Sequence, residues 1–332
     1  MERGMILLFL LLLLAHILFD FYIQNEKMVA SKSFTRGVGK AIKFHFIHAG
    51  LHGFSSSLIC FVFIFSFLGC VEISIPKVIF SIFIFFTVSH LIVDVVKSLI
   101  VLKIKGFYFF VAFLFDQVIH VFLLFYGVYL FFGKYSSYMY EFNLVNHISI
   151  FLVFVCAVLA LLKPSSIIVY SFFKSSGIND GSGEVKITKS QVSDVLYSLF
   201  CKDLTDGGVT DYQATVLNYK AKADKVVLSV SNGNADIDIN AILKVNNAGR
   251  VIGYVERLII FLFLILGSVT AVVAVLAMKT ALRFSDLKDD NDSGKAEYIM
   301  IGTFFSLLIT VLISLIARTC LVKLGIKIND FS

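Results

Sequence analysis

The sequence predicts an all-α integral membrane helical bundle of about seven transmembrane helices, interrupted by a small α+β cytoplasmic insert. Three observations lead there. Apolar residues make up 58% of the 332-residue chain, and its mean hydropathy is +0.89, outside the range of ordinary soluble domains. Seven runs approach or exceed the roughly 20 apolar residues that a helix needs to cross a bilayer while satisfying its own backbone. Only residues 174–250 break the pattern at length, with Ser, Gly, Asn and Asp in place of Leu, Ile and Phe.

The first run, 5–22, follows Glu2 and Arg3 and is rich in Leu, as a secretory signal would be. It passes into Asp20, Phe21, Tyr22, Ile23 and Gln24 with no small-x-small cleavage pattern, so it reads as a retained helix. Runs at 41–68, 78–101, 107–132 and 147–173 complete a five-helix membrane domain over 1–173. Pro164 in the fifth bends a helix end. In the insert, 174–250, helical spacing covers 190–200, and strand alternation runs over 226–230 and 235–239. Asn232, Gly233 and Asn234 give a turn signal between those two runs. A unit this small folds only marginally by itself, which favours docking onto the membrane part. Runs at 258–282 and 299–322 make a two-helix C-terminal membrane segment over 251–332.

Lys and Arg stay preferentially in cytoplasmic loops. Lys27, Lys32, Arg36, Lys40 and Lys43 follow the first helix, Lys77 alone follows the second, Lys103 and Lys105 the third, and Lys134 alone the fourth. The alternation places the N-terminus outside, and the insert and C-terminus in the cytoplasm of an inner-membrane protein. The acidic loop 286–297 is then outside. The net charge of +6 reports orientation and anionic headgroups, with no nucleic-acid partner expected. Cysteines at 60, 70, 156, 201 and 320 show no CxxC spacing, which argues against a disulfide framework or thiolate metal site.

Six of the seven histidines fall in the first four runs, together with three aspartates. His16 and Asp20 stand four apart, His45, His48 and His52 three and four apart, His90 and Asp94 four apart, and Asp116 and His120 four apart. Such spacings share one helix face. At about 1.5 Å per residue, all nine lie between the inner interface and mid-membrane. An unpaired Asp at the centre of a spanning helix costs about 2.5–3.5 kcal/mol. Basic residues are nearly absent from these faces apart from Lys97, so histidines or a cation must compensate. Imidazole with carboxylate suits Zn first, with Fe, Mn or Ni as alternatives, as one ion or two. The competing reading is a polar core closed by His–Asp hydrogen bonds, or a proton relay.

The blocks AHILFDFYIQ at 15–24, HFIHAGLHG at 45–53, HLIVDVVK at 90–97 and FDQVIH at 115–120 resemble an uncharacterised bacterial family of polytopic membrane proteins, domain of unknown function 3307. GRVIGYVERLIIF at 249–261 and AEYIMIGTFFS at 296–306 look like the C-terminal part of its longer members. The pattern is also loosely similar to inner-membrane metal-dependent hydrolases described as LexA-binding. The first resemblance implies no activity. The second implies a metal-dependent hydrolase.

On that reading His45, His48, His90 and His120 are the imidazole ligands, with Asp94 and Asp116 as carboxylate ligands. His16, Asp20 and His52 complete a second ion or act as catalytic proton carriers and orienters. Gln24 and Gln117 could hydrogen-bond a ligand or substrate. A site in the inner leaflet favours a membrane-borne substrate, a lipid ester or a peptide bond. The chain lacks HExxH, which a metallopeptidase would commonly show. The alternatives are a metal-ion or proton-coupled transporter or sensor, or a signalling scaffold with a structural metal whose insert recruits a cytoplasmic protein. Glu256 and Arg257 read as interface anchors and a local ion pair, or as a floor closing the pocket. Oligomeric state is not legible.

Overall fold

A computed structural model of the chain describes residues 3–67, 74–133, 135, 143–176, 216–222, 225–230, 233–238, 248–283 and 293–327. The chain divides into two compact units, Met1–Asp180 with Gly253–Ser332, and Gly181–Ile252. In the smaller unit, strands β1 (Val216–Lys222), β2 (Lys225–Val230) and β3 (Gly233–Asp238) pair antiparallel in the order β1-β2-β3. The helix expected over 190–200 lies outside the described residues.

The larger unit is helical. Helix α1 (Arg3–Ile17) runs on as a π-helical turn, Leu18–Ile23, and then as a short surface helix α2 (Glu26–Ser31), which is capped by Asn25 accepting from the Met28 N–H at 2.9 Å. Helices α3 (Val38–Phe67), α4 (Ile75–Val101) and α5 (Phe107–Phe132) follow, then α6 (Asn143–Leu161) and α7 (Lys163–Ser176). The chain returns to the bundle in α8 (Ala248–Leu266), α9 (Val269–Arg283) and α10 (Ser293–Lys323).

Neighbouring helices alternate in direction, as side-chain partners show. Asp20 meets His48 while His16 meets His52, so α1 and α3 are antiparallel. His48 lies near Asp94 while His52 stacks on His90, which makes α3 and α4 antiparallel. Lys97 meets Asp116 while His90 meets His120, so α5 turns back again. The α3–α4 contact is unusually close at Gly53, where an added Cβ would sit 2.9 Å from the Phe83 carbonyl oxygen and collide with the Thr87 side chain. Only glycine lets the two backbones approach this far.

α6 and α7 are one apolar path bent at Leu162. Pro164 has no N–H, and the Ser165 hydroxyl donates to the carbonyl of Ala160 at 2.7 Å in its place. The Leu161 carbonyl accepts from Arg257 Nε at 2.6 Å. The same guanidinium donates to Ser166 Oγ at 2.7 Å and Ser306 Oγ at 3.2 Å. Arg257, 5% exposed, therefore ties α8, α7 and α10 together, and Glu256 pairs with Lys279, so the reading of the two as interface anchors and a local ion pair is corrected.

Among the described residues, six helical segments are long and apolar enough to cross a membrane: Arg3–Ile23, Val38–Phe67, Ile75–Val101, Phe107–Phe132, Leu144–Ser176 and Met300–Lys323. The expectation of seven is corrected here, because the run 258–282 is two helices and not one. Gly267, at φ +84°, closes α8 with its N–H to Leu264 and the Ser268 N–H to Phe263, after which the Ser268 hydroxyl accepts from the Ala271 N–H and starts α9. Lys279 of α9 returns to pair with Glu256 of α8, and Val272 packs with Ile260 and Leu264. The pair is a hairpin. Its 15-residue α9 is about 22 Å long at 1.5 Å per residue, short of a hydrocarbon core of about 30 Å.

α10 then starts level with α8, with Ser306 beside Arg257, and ends with the Leu324 carbonyl accepting from Asn146 Nδ2 at the start of α6. α1 and α6 begin at this same end. Six crossings place both terminal helices' outer ends together, so an outside N-terminus and a cytoplasmic C-terminus cannot both hold. α9 ends level with the start of α8, where Lys279 meets Glu256, so the chain leaves the hairpin at the end of the bundle opposite the start of α1. Single cysteines at position 2, 288 and 330 of a chain with its own cysteines replaced, labelled with an impermeant maleimide in intact cells, are expected to give one result for 2 and 330 and the opposite for 288. Matching results for 2 and 288 would restore the seven-span topology.

Candidate metal centre

The spacing argument places each titratable pair on the inward face of its helix, and the fold brings the four faces together at one depth. His16, His45, His48, His52, His90, Asp94, Asp116 and His120 are each 5% exposed or less. Asp20 joins them from the π-helical turn, where the Gln24 N–H reaches back five residues to the Phe19 carbonyl at 3.1 Å. The wider turn carries Asp20 between three helices. Such π-turns recur at functional sites. Its far end is fixed by Tyr22, whose hydroxyl donates to the Leu159 carbonyl at 2.8 Å and accepts from the Lys163 N–H at 3.4 Å.

Asp20 is the hub. Its Oδ1 lies 2.9 Å from His52 Nε2, 3.1 Å from His48 Nε2 and 3.9 Å from His90 Nε2, while Oδ2 is 3.6 Å from His16 Nε2. Asp20, His48, His52 and His90 each offer one ligand atom, and these atoms all lie within 4.8 Å of one another. His90, Asp94 and His120 form a second such group, sharing His90. The rings of His52 and His90 stack at 3.9 Å, and those of His90 and His120 lie 4.2 Å apart.

The remaining three of the nine sit at the margins. His16 touches the core through its ring, 5.3 Å from that of His120. His45 approaches Asp94 Oδ2 at 3.7 Å and stacks on Phe34. Asp116 accepts from Lys97 Nζ at 2.8 Å and Gln117 Nε2 at 3.0 Å. Gln117 thus holds a carboxylate of the cluster.

One participant was not anticipated. Lys32, in the segment after α2, donates to Asp94 Oδ2 at 2.6 Å with its side chain 12% exposed. Burial pushes its pKa down, opposed by the Asp94 carboxylate. With Lys97 on Asp116, two of the three aspartates have a lysine partner, and among the described residues Asp20 pairs only with imidazoles. With the imidazoles neutral, three aspartates and two lysines leave one negative charge uncompensated.

The donor set fits a metal ion. Among the described residues, His16 Nε2, His90 Nε2, His120 Nε2, both ring nitrogens of His45 and Asp116 Oδ1 are buried without a hydrogen-bond partner. Groups so placed cost about 1–3 kcal/mol each when left unsatisfied, and the ring centroids of His16, His90 and His120 lie within 6.0 Å of one another. A small cavity lined by His16, His52, His90, His120, Ser56 and Ser89 adjoins them, with Phe86, Leu123 and Leu124 as its apolar wall.

The residues carrying this geometry match the model of a family described as "Protein of unknown function (DUF3307)". The match covers residues 8–149, less than half of the chain. The DUF3307 segment contains all nine His and Asp residues and both lysines, whereas the insert and the C-terminal helices lie beyond it. No curated protein matches the chain, and no solved structure matches it. The looser likeness to LexA-binding hydrolases gains no support from these comparisons.

Proposed function

We propose that the DUF3307 segment is a metal-dependent membrane hydrolase, holding one divalent transition ion, zinc first, through Asp20, His48, His52 and His90. The observation that supports this most is the set of buried imidazole nitrogens without hydrogen-bond partners, gathered around a carboxylate that lacks a lysine. His90, Asp94 and His120 form the place for a second ion. A single ion suits the charge better, because the cluster's one uncompensated negative charge becomes one positive charge. Two ions would leave three in a low-dielectric setting.

A divalent ion with an open position lowers the pKa of bound water to about 7. The chain's own residues do the rest. Asp20 orients His48 and His52, the apolar wall of the cavity excludes bulk water, and His16 and His120 are within reach to hold or pass a proton. Hydrolysis adds the hydroxyl of water to the attacked centre and its proton to the leaving group. The lysine-rich loops put the cluster end of the bundle in the cytoplasm, so the substrate enters from the inner leaflet. The insert, read from the sequence as cytoplasmic, would recruit a cytoplasmic protein.

A second reading has its own support. The two lysines bring the cluster close to neutrality without an ion, and the π-helical turn at Asp20 breaks a helix at the binding level, as in ion and proton carriers. Purified protein tested on lipid and peptide esters, after chelation and after zinc is restored, separates the two. Zinc-dependent turnover that is lost in His48→Ala and His52→Ala supports hydrolysis. Bound zinc with no turnover on any ester or peptide favours transport or sensing.

A further inference from the structure

We infer that the substrate of this site is an anionic membrane lipid bearing a phosphate group, and that Lys32 and Lys97 are the residues that take the phosphate; the inference rests on the metal-hydrolase reading above. Two independent features lead to it. The first is the charge left over. One divalent ion turns the cluster's net charge from minus one to plus one, and a buried surplus charge in the membrane needs a partner. A monoanionic ligand brings it to zero, whereas a neutral ester or peptide bond does not.

The second is where the lysines stand. Lys32 and Lys97 each grip a single oxygen of a carboxylate, Asp94 Oδ2 and Asp116 Oδ2. Asp94 belongs to the second group of ligand atoms, so a cation there competes with Lys32 for it. The Lys97 side chain is 31% exposed and that of Lys32 is 12% exposed, against 1% and 6% for their aspartates. Lys97 stands near the end of α4 at Val101, and Lys32 lies in the segment between α2 and α3, so both lysines are on the side of the cluster nearest that end of the bundle. The same end carries exposed Arg36, Lys40 and Lys43 before and in the first turns of α3, and exposed Lys103 and Lys105 between α4 and α5. Such clusters concentrate anionic lipid at the headgroup level, each charge adding about 1 kcal/mol.

The arrangement has a direction. Exposed basic residues gather the anionic headgroup, the two inner lysines exchange carboxylate for phosphate, and the metal ligands lie immediately behind them. The ordinary alternative, fixed counterions for two buried aspartates, predicts no lipid preference.

The test uses the full chain in a neutral detergent, loaded with zinc, and titrates dihexanoyl phosphatidic acid, dihexanoyl phosphatidylcholine and inorganic phosphate by calorimetry. Wild type is expected to bind phosphatidic acid at least tenfold more tightly than phosphatidylcholine. Lys32→Gln with Lys97→Gln is expected to lose that preference while keeping its zinc, and Lys32→Arg to retain it. Phosphate binding as tightly as phosphatidic acid would overturn the lipid part, assigning the site to the free anion. Equal affinity for the two lipids, or preference surviving in the double variant, would overturn the proposal while leaving the metal reading intact. A zinc-free wild type would overturn the metal reading itself, and with it the charge argument.

Discussion

Replacing His90 with alanine is expected to reduce zinc in the purified protein to background, the largest single-residue effect in the cluster. His90 is the one residue shared by both groups of ligand atoms, and its ring stacks on His52 and sits 4.2 Å from His120. Its loss should exceed the roughly 10–100-fold that removing an outer-shell partner costs a metal site. His45, which lies outside both groups and stacks on Phe34, should lose far less as His45→Ala. The readout is bound zinc per chain beside the size-exclusion profile. Undiminished zinc in a His48→Ala, His90→Ala double variant that still elutes as wild type would remove the site from these helices.

The second large effect is expected at Gly53. A valine there would press on the Phe83 carbonyl and the Thr87 side chain, and since one of these is backbone, the helices must part. Overpacking of this kind costs about 1–3 kcal/mol. It would also pull His48 and His52 away from His90. Gly53→Val should therefore lower both the melting temperature in detergent and the zinc content. Gly50, one helical turn earlier, has open space where a Cβ would go, and Gly50→Ala should preserve both, gaining up to about 1 kcal/mol from helix propensity. Equal behaviour of the two variants would contradict the close α3–α4 contact.

The helical membrane fold was legible because lipid admits so few solutions: a run of apolar residues without charge can only be a helix. Convergence of the His/Asp faces was legible for the same reason, since i, i+3 and i+4 spacing fixes the face and the apolar flanks fix the depth. The failed span at 258–282 had a visible signal. Gly267 followed by Ser268 is a C-terminal glycine next to an N-cap serine, but the hydropathy of the run masked a two-residue break. Arg250, Glu256 and Arg257 also leave α8 only nine apolar residues, 258–266, about half a crossing.

Two features of the site itself were beyond sequence reasoning. The π-helical turn at Asp20 differs from an α-turn by one hydrogen-bond step and leaves no composition signature in LFDFYI. Lys32 was counted as a topology marker because it lies in a loop. Only the path of α2 and the turn after it carries its ammonium back to Asp94, sixty-two residues away in sequence. Its presence changes the chemistry, because it leaves Asp20, not Asp94 or Asp116, as the carboxylate that lacks a cation.

Metal content is the measurement on which the account turns. Plasma mass spectrometry on detergent-purified protein, wild type beside an Asp94→Ala, His120→Ala variant and an Asp20→Ala variant, is predicted to find roughly one equivalent of zinc, or of iron, manganese or nickel, in the wild type. The Asp20→Ala variant should hold none, whereas the Asp94→Ala, His120→Ala variant should keep it, because neither residue belongs to the group around Asp20. No transition metal in the wild type, even after it is supplied and excess removed, would contradict the account and leave the cluster as a proton relay or polar core.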